Sequence, residues 1–285
     1  SPNALKASLA ANPNARVIIP VHFAGLPCDM PSIKAHADKA DAIVIEDASH
    51  ALGSTYPDGR RVGCCNNSLM TVFSFHPVKA IAAGEGGMIT TNDESIYRQL
   101  NRLRSHGINK GDDPMQYPEN QFDSDGLRAK WYYEMQEIGY NYRITDIQCS
   151  LGLSQFSKID RFIERRRELT KSYDKAFLNI PNCSPAQRFG RDESAHHLYV
   201  IRINFNKINM SRQLFMKRLN EKGIGTQVHY IPLPMQPVYQ KLGFDINDYP
   251  NAFSYYNEGI SIPLYYSLSD KEQIKVINSI KELLE

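Results

Sequence analysis

The chain has 285 residues, a charged fraction of 22% and a formal net charge of +2 at pH 7. A net charge so close to zero argues against a large basic surface for nucleic acid, and no apolar run approaches the roughly 20 residues that span a membrane. The length allows a substantial core and two domains.

Almost wholly apolar runs at residues 15–23 and 41–47 flank a short helical pattern at residues 30–40. Strand, helix and strand in this order predict a βαβ unit with a parallel sheet. The next predicted elements are strands at residues 69–75 and 87–91 and a helix at residues 94–107, capped by Asn92 or Asp93.

Residues 109–126 are rich in Gly, Asp, Asn and Pro, which predicts a long loop of the kind that often forms a lid. Thr145 and Gln148 then have the spacing of a capping box, and the apolar stripe behind them predicts one helix of about 30 residues that bridges two domains.

The remainder of the chain predicts an α+β unit. Its predicted elements are strands at residues 198–205 and 225–231 and helices at residues 210–223 and 269–284, the last with a capping box at Ser269 and Glu272. We therefore predict a large domain over residues 1–170 and a small C-terminal domain over residues 171–285.

The five cysteines are an odd number and include no CxxC pair. Because the adjacent Cys64 and Cys65 would make an uncommon disulfide, reduced thiols in a cytoplasmic protein are the simpler interpretation. No His/Cys cluster has the spacing of zinc ligands, so the sequence predicts no metal site.

Polar side chains follow two of the predicted strands. Asp47 ends the run IVIED, and Ser74, His76 and Lys79 follow the run MTVF. Because ligands of open α/β sheets bind beyond the carboxyl ends of the strands, we expect these groups to converge on one crevice.

Asp47 and Lys79 have two interpretations. One is a structural ion pair. The other is a pyridoxal phosphate site, in which the lysine amine forms a Schiff base with the cofactor aldehyde and the carboxylate keeps the pyridine nitrogen protonated. A dinucleotide site is not supported, because GEGG at residues 84–87 is not GxGxxG, and P-loop nucleotide binding is not supported, because no GxxxxGK(S/T) occurs. A hydrolytic triad is disfavoured, because Ser74 lies within a strand run and not on an exposed turn.

The stretches IEDASHALGS and FSFHPVKAIAAGEGGMITTND resemble the DegT/DnrJ/StrS family of nucleotide-sugar aminotransferases. His50 stands three residues after Asp47, and Lys79 stands five after Ser74, in the order of the family motif. The segments IGYNYRITDIQ, HYIPLPMQPVY and ISIPLYYSLSDKEQ extend the resemblance over nearly the whole chain. It implies the α/β fold of type I pyridoxal-phosphate-dependent transferases, as in aspartate aminotransferase, with a mostly parallel sheet and a small α+β domain.

The resemblance also implies roles for the cofactor residues. Lys79 would be the Schiff-base lysine and proton shuttle, Asp47 would pair with the pyridine nitrogen, and Ser74 would bind the phosphate. His50 stands where many members have glutamine, beside the cofactor ring or its 3-hydroxyl. Asn141 would reach the phosphate of the neighbouring subunit's cofactor, which implies a homodimer with shared active sites.

On the sugar-nucleotide side the resemblance gives four candidates, which are His76, Arg143, His229 and Tyr230. For each of them an ordinary structural role, as a polar residue whose hydrogen bonds are satisfied at a strand end, explains its position equally well.

The implied reaction is a ping-pong transfer from L-glutamate, through pyridoxamine phosphate, to C4 of a UDP-linked 4-keto-6-deoxy-N-acetylhexosamine, as in pseudaminic acid synthesis. Enzymes for other 4-amino sugars, such as UDP-4-amino-4-deoxy-L-arabinose, share most of these motifs. A related sugar dehydratase would carry histidine in place of Lys79, which argues against that activity.

A non-catalytic relative of the same fold is the remaining alternative. Family members normally have about 100 further residues before the position of Ser1, including the helix N-terminus that grips the cofactor phosphate. We therefore expect the chain to be a fragment of a longer protein.

Overall fold

The computed structural model describes residues 1–109, 113–187 and 189–284. The chain divides into two compact units, each made of three separate segments. The first unit comprises Ser1–Pro20, Asp29–Asp47 and Gly63–Phe156, and the second comprises Val21–Cys28, Ala48–Val62 and Ser157–Glu285. The predicted domain boundary at residue 170 stays a prediction.

The first unit is built on a four-stranded, mostly parallel sheet, as predicted. Its strands are β1 (Val17–Ile18), β2 (Ile43–Asp47), β3 (Met70–Ser74) and β4 (Gly87–Thr90), in that order across the sheet. The pairings of β1 with β2 and of β2 with β3 are parallel, whereas β4 runs antiparallel to β3.

Four α-helices belong to the described part of the first unit. They are α1 (Pro2–Ala11), α2 (Met30–Lys39), α3 (Glu94–Leu103) and α4 (Asp146–Phe156). The caps expected from the sequence are confirmed: the Asp93 carboxylate accepts from the backbone N–H groups of Ser95 and Ile96, and the side chain of Gln148 returns to the N–H of Thr145.

The second unit holds a three-stranded antiparallel sheet and five α-helices among its described residues. The strands are β5 (Cys183–Pro185), β6 (Tyr199–Ile203) and β7 (Gly259–Ile262). The helices are α5 (Ile159–Phe177), α6 (Arg212–Glu221), α7 (Pro237–Lys241), α8 (Pro250–Glu258) and α9 (Asp270–Leu284). The Ser269–Glu272 capping box at the start of α9 is confirmed.

An apolar cluster holds the second unit together. Leu169, Tyr173 and Phe177 recur at the helical spacing of four along α5 and are all but fully buried. They pack with Ile201 of β6 and Ile260 of β7 in the same cluster. Burial of side chains of this size stabilises the fold by about 1.5–3 kcal/mol each.

Three sequence predictions are wrong in extent. The strand predicted at residues 15–23 is β1 alone, since Pro20 has no N–H to continue the pairing. The helix predicted to run to residue 107 ends at Leu103, because His106 and Gly107 have φ of 64° and 71°. The single helix of about 30 residues is two helices, α4 and α5, because Lys158 between them has φ −108° and ψ 1° and breaks the helical backbone.

The strand predicted at residues 225–231 is also wrong. Only one bridge forms there, between Gln227 and Ser261 of β7. The N–H of Val228 bonds instead to the side-chain oxygen of Gln227. The third strand of the sheet is β7, which the sequence analysis did not predict.

Within the described residues, no helix combines the length and the apolar character that crossing a membrane requires.

Candidate active site

The carboxyl ends of β2 and β3 bring the first group of predicted site residues to one edge of the sheet. Asp47 is the last residue of β2 and pairs in register with Val72, and β3 ends two residues later at Ser74. Because the two strands are parallel, both carboxyl ends lie at the same edge.

Lys79 follows on the turn after β3. Its N–H donates to the carbonyl of His76 at 2.9 Å, and the turn is closed by a bond of 2.9 Å from the N–H of Ala83 to the carbonyl of Phe75. The side chain is half-buried, and this burial lowers the pKa of Lys79, while the nearby Asp47 carboxylate opposes the shift. The amine therefore loses its proton more readily than a surface lysine, which suits a nucleophile and proton carrier.

Ser74 and His76 are linked through the backbone. The N–H of His76 donates to Ser74 Oγ at 3.4 Å, so the hydroxyl proton of Ser74 can be donated to another acceptor. The His76 side chain is exposed, and its Nε2 lies 3.8 Å from Oε1 of Glu85, a neighbour that sequence analysis did not single out.

Asn141 and Arg143 lie on a different segment of the first unit, beside the end of α3. Asn141 forms an antiparallel bridge with Ser105, and the Tyr142 N–H donates to the carbonyl of Arg104 at 2.9 Å. A Cβ atom at Gly107 would be 1.7 Å from the carbonyl oxygen of Glu137. The two backbone segments therefore pass each other too closely at this point for any residue but glycine.

Arg143 lines a cavity of about 330 Å³ along α3. Glu94 and Asp113 line it as well as three further arginines, Arg98, Arg102 and Arg104. Arg98 is paired with Glu94 and Asp113, and Arg102 is paired with Glu137.

His50, His229 and Tyr230 belong to the second unit. His50 is buried, and its Nδ1 accepts a hydrogen bond of 3.3 Å from the backbone N–H of Ala24. Tyr230 is half exposed, and its hydroxyl lies 3.4 Å from His50 Nε2. The ring of His229 contacts that of Tyr230, with centroids 4.7 Å apart, and its Nδ1 is bonded to Ser261 Oγ at 2.7 Å.

Sequence analysis missed two members of this second group. The ring of His197 lies 4.3 Å from that of His50, centroid to centroid, and the ring of Phe23 lies 5.7 Å from it. The signal available in the sequence was the pair of histidines at His196 and His197, two residues before β6.

The donor set of the first unit fits pyridoxal phosphate. Lys79 offers an amine of lowered pKa, Asp47 a carboxylate close enough to influence that pKa, and Ser74 a hydroxyl that can donate to a phosphate oxygen. These are the groups that the aldehyde, the pyridine nitrogen and the phosphate of this cofactor require.

Comparison with known proteins gives the class of the chain. The sequence profile of the DegT/DnrJ/EryC1/StrS aminotransferase family matches residues 1–281. Spore coat polysaccharide biosynthesis protein SpsC of Bacillus subtilis is 37% identical over 285 residues, which are 99% of this chain and 70% of SpsC.

Two solved structures are similar over almost the whole chain. Helicobacter pylori PseC, an aminotransferase involved in the biosynthesis of pseudoaminic acid, has a TM-score of 0.84 at 30% identity, covering 98% of this chain and 70% of PseC. The putative sugar aminotransferase Spr1654 of Streptococcus pneumoniae, in its PMP form, has a TM-score of 0.85 at 29% identity, covering 100% of this chain and 71% of Spr1654.

The fold and these comparisons together identify a pyridoxal-phosphate-dependent sugar aminotransferase of fold type I. The chain belongs to the DegT/DnrJ/EryC1/StrS aminotransferase family. The sequence-based predictions of the family, the fold class and the cofactor are therefore confirmed, whereas the roles of individual site residues stay predictions.

Proposed function

We propose that this protein transfers the amino group of L-glutamate to C4 of a UDP-linked 4-keto-6-deoxy-N-acetylhexosamine, the step that makes UDP-4-amino-4,6-dideoxy-N-acetyl-L-altrosamine in pseudaminic acid synthesis. The observation that carries amino transfer is the half-buried Lys79 with Asp47 close by at the end of the neighbouring strand. The similarity to PseC over 98% of the chain supports the choice of sugar.

Bound pyridoxal phosphate supplies an electron sink that weakens the bonds at the carbon bearing the transferred nitrogen. Asp47 would keep the pyridine nitrogen protonated, and Ser74 would donate its hydroxyl proton to a phosphate oxygen. Lys79 would hold the aldehyde carbon through its Nζ and afterwards carry a proton between substrate and cofactor carbons. In this proposal His50 lies beside the cofactor ring.

Four residues are proposed to bind the sugar nucleotide: His76, Arg143, His229 and Tyr230. The four arginines that line the cavity along α3 support Arg143, because a diphosphate needs positive partners. The exposed rings of His76 and Tyr230, and His229 beside Tyr230, can reach a ligand from solvent-accessible positions.

The decisive variant is Lys79→Ala, compared with Lys39→Ala at the exposed end of α2. The purified chain is given pyridoxal phosphate, L-glutamate and the UDP-4-keto sugar, and formation of 2-oxoglutarate and amino sugar is followed by NMR. We expect Lys79→Ala to lose turnover and Lys39→Ala to retain it. Full activity of Lys79→Ala would refute the assignment.

A second candidate is amination of another nucleotide 4-keto sugar, such as the precursor of UDP-4-amino-4-deoxy-L-arabinose. It is favoured by the 37% identity to SpsC, a protein of spore coat polysaccharide biosynthesis. A panel of UDP- and dTDP-linked 4-keto sugars, with the C4 configuration of each product determined, separates the two candidates. The first is rejected if another sugar has the higher kcat/KM.

We also propose that the protein acts as a homodimer in which Asn141 serves the site of the partner subunit. Support comes from exposed apolar side chains in the stretch of chain that contains Asn141, because large exposed apolar patches mark interfaces. They include Trp131, 78% exposed, Ile138, 90% exposed, and Tyr142, 71% exposed.

Mixing of two inactive variants tests this shared site. Lys79→Ala and Asn141→Ala homodimers are each expected to be nearly inactive, and exchange of their subunits should restore part of the activity, since one of the two sites then has both residues. Absence of recovery after confirmed subunit exchange would contradict the proposal. We place the reaction in the cytoplasm, where thiols stay reduced, in agreement with five free cysteines.

A further inference from the structure

We propose that Glu85 is a specificity-determining residue for the acceptor sugar. Together with His76 it binds the hydroxyl group on the ring carbon beside the reacting carbonyl, which is C3 of the proposed 4-keto substrate. This inference rests on the proposed function, in which His76 faces the sugar. It concerns the first unit alone, because every residue that carries it belongs to that unit.

The turn after β3 decides which nitrogen of the His76 ring carries the proton. The backbone N–H of Val78 donates to His76 Nδ1 at 3.4 Å. A backbone N–H can only donate, so Nδ1 keeps its lone pair and the neutral ring has its proton on Nε2. Nε2 is the nitrogen that faces Glu85, whose Oε1 lies 3.8 Å away. A hydrogen-bond donor therefore stands beside an acceptor carboxylate.

The separation of 3.8 Å leaves both groups able to bind a ligand. It is too long for a hydrogen bond between Nε2 and Oε1, and the two side chains are 47% and 74% exposed. A hydroxyl group fits this pair, because its oxygen accepts from Nε2–H while its proton goes to the carboxylate. A diphosphate oxygen does not fit, because it has no proton to give and the charge of Glu85 repels it.

The start of α4 holds the backbone of Glu85. The Oε1 atom of Gln148 accepts from the N–H and the hydroxyl of Thr145 at 3.1 and 2.9 Å. The amide nitrogen of Gln148 then donates to the carbonyl of Glu85 at 2.9 Å. Because this bond uses the main chain of Glu85, replacement of the side chain should leave the loop in place.

The continuation of β3 holds the same loop from a second side. The N–H of Phe75 donates to the carbonyl of Gly86, and the N–H of Ala83 donates to the carbonyl of Phe75, both at 2.9 Å. A Cβ atom at Gly86 would lie 2.8 Å from Cδ1 of Ile144, so the loop also packs closely at this point. The loop that carries Glu85 is therefore bonded to the residue directly before His76.

The place of this pair in the chain indicates which hydroxyl it binds. The N–H of Lys79 donates to the carbonyl of His76 at 2.9 Å, so the two residues share one turn. In the proposed reaction C4 of the sugar comes to Lys79, and the ring carbons beside C4 come to the rest of this turn. Of these two carbons C3 carries a hydroxyl and C5 a methyl group, so only C3 offers a group that both accepts and donates.

The test compares two sugars on the chain loaded with pyridoxal phosphate. They are the UDP-linked 4-keto sugar and its analogue without the C3 hydroxyl. The ratio of their kcat/KM values measures the contribution of that hydroxyl. We expect the wild type to favour the hydroxylated sugar at least about tenfold, the effect of one hydrogen bond to a charged group.

Glu85→Ala should lower this ratio about tenfold by slowing the hydroxylated sugar, and Glu85→Gln should keep part of the ratio, because a neutral amide oxygen still accepts. The matched control is Asp38→Ala, which removes an exposed carboxylate paired with Lys34 on α2 and should leave the ratio unchanged. The half-reaction with L-glutamate, followed by cofactor absorbance, should be the same in all variants.

A ratio in Glu85→Ala equal to that of the wild type would overturn the inference. So would an equal loss of kcat/KM with both sugars, since that result indicates a structural role, or a wild type that does not distinguish the two sugars. If the wild-type chain aminates no keto sugar, the proposed function fails and this inference fails with it, whereas an unchanged ratio in Glu85→Ala defeats this inference alone.

Discussion

Replacement of Gly25 by alanine should strongly destabilise the chain, because three segments meet at this residue. A Cβ atom there would lie 2.9 Å from the backbone nitrogen of His196, 3.1 Å from that of His197 and 3.2 Å from the carbonyl oxygen of His50. Backbone atoms cannot swing away as a flexible side chain can. The φ of 97° at Gly25 adds a second cost, since alanine avoids positive φ.

Gly59 offers a matched control in the same unit. Its φ is 83°, and a Cβ atom there would meet nothing within 4 Å. Gly59→Ala should therefore lower the free energy of unfolding only by the cost of positive φ, about 1–2 kcal/mol. Gly25→Ala should lower the free energy of unfolding by that amount and by about 1–3 kcal/mol more, because the backbone is forced to shift.

Urea unfolding followed by circular dichroism measures both variants against the wild type. The loss of unfolded-state entropy on changing glycine to alanine is the same in both and cancels in the comparison. Equal losses in the two variants would refute the packing explanation. A histidine spectrum of Gly25→Ala should also show a shifted His50 signal, because Ala24 and the His50 carbonyl flank the new methyl group.

Three further predictions concern single side chains. Ser269→Ala should lower the free energy of unfolding by about 1 kcal/mol through loss of the α9 cap, and Ser267→Ala, exposed before the helix, should leave it unchanged in urea unfolding. Because burial holds the pKa of Lys79 below its ordinary 10.5, the unfolded chain binds more protons between the two pKa values, so stability should rise with pH in that interval. Lys79→Met should remove this rise, and a pH–stability curve parallel to that of the wild type would contradict the shift. Arg166→Met leaves three buried carbonyls without their donor and should cost at least about 2 kcal/mol, whereas Arg161→Met, exposed on the same helix, should stay within about 0.5 kcal/mol in thermal unfolding; similar losses in both would count against the role of Arg166.

Local signals explain what was predictable from the sequence. The apolar run that ends in Asp47 and the glycines after Lys79 predicted parallel strands with chemistry at their carboxyl ends, because side-chain patterning and turn residues act over a few positions. The caps at Asp93, Thr145 and Ser269 were predictable for the same reason: a cap needs only its own first turn.

Tertiary structure decided where these elements stop. An apolar stripe continues through Lys158, yet the backbone leaves the helical region there, and α4 and α5 fall into different compact units. Periodicity cannot detect such a break, because both helices keep apolar residues at compatible spacing. In the same way, pairing at Gln227 depends on β7, a strand far along the chain.

The sequence by itself determined the amine, the carboxylate and the hydroxyl of the predicted cofactor site, since these reside in two short motifs. Only the folded chain brought Ala24, His50 and His197 together. No residue pattern encodes which backbone N–H will face a given ring nitrogen. Residue type therefore specified the chemistry available, and tertiary contact specified which of these residues meet.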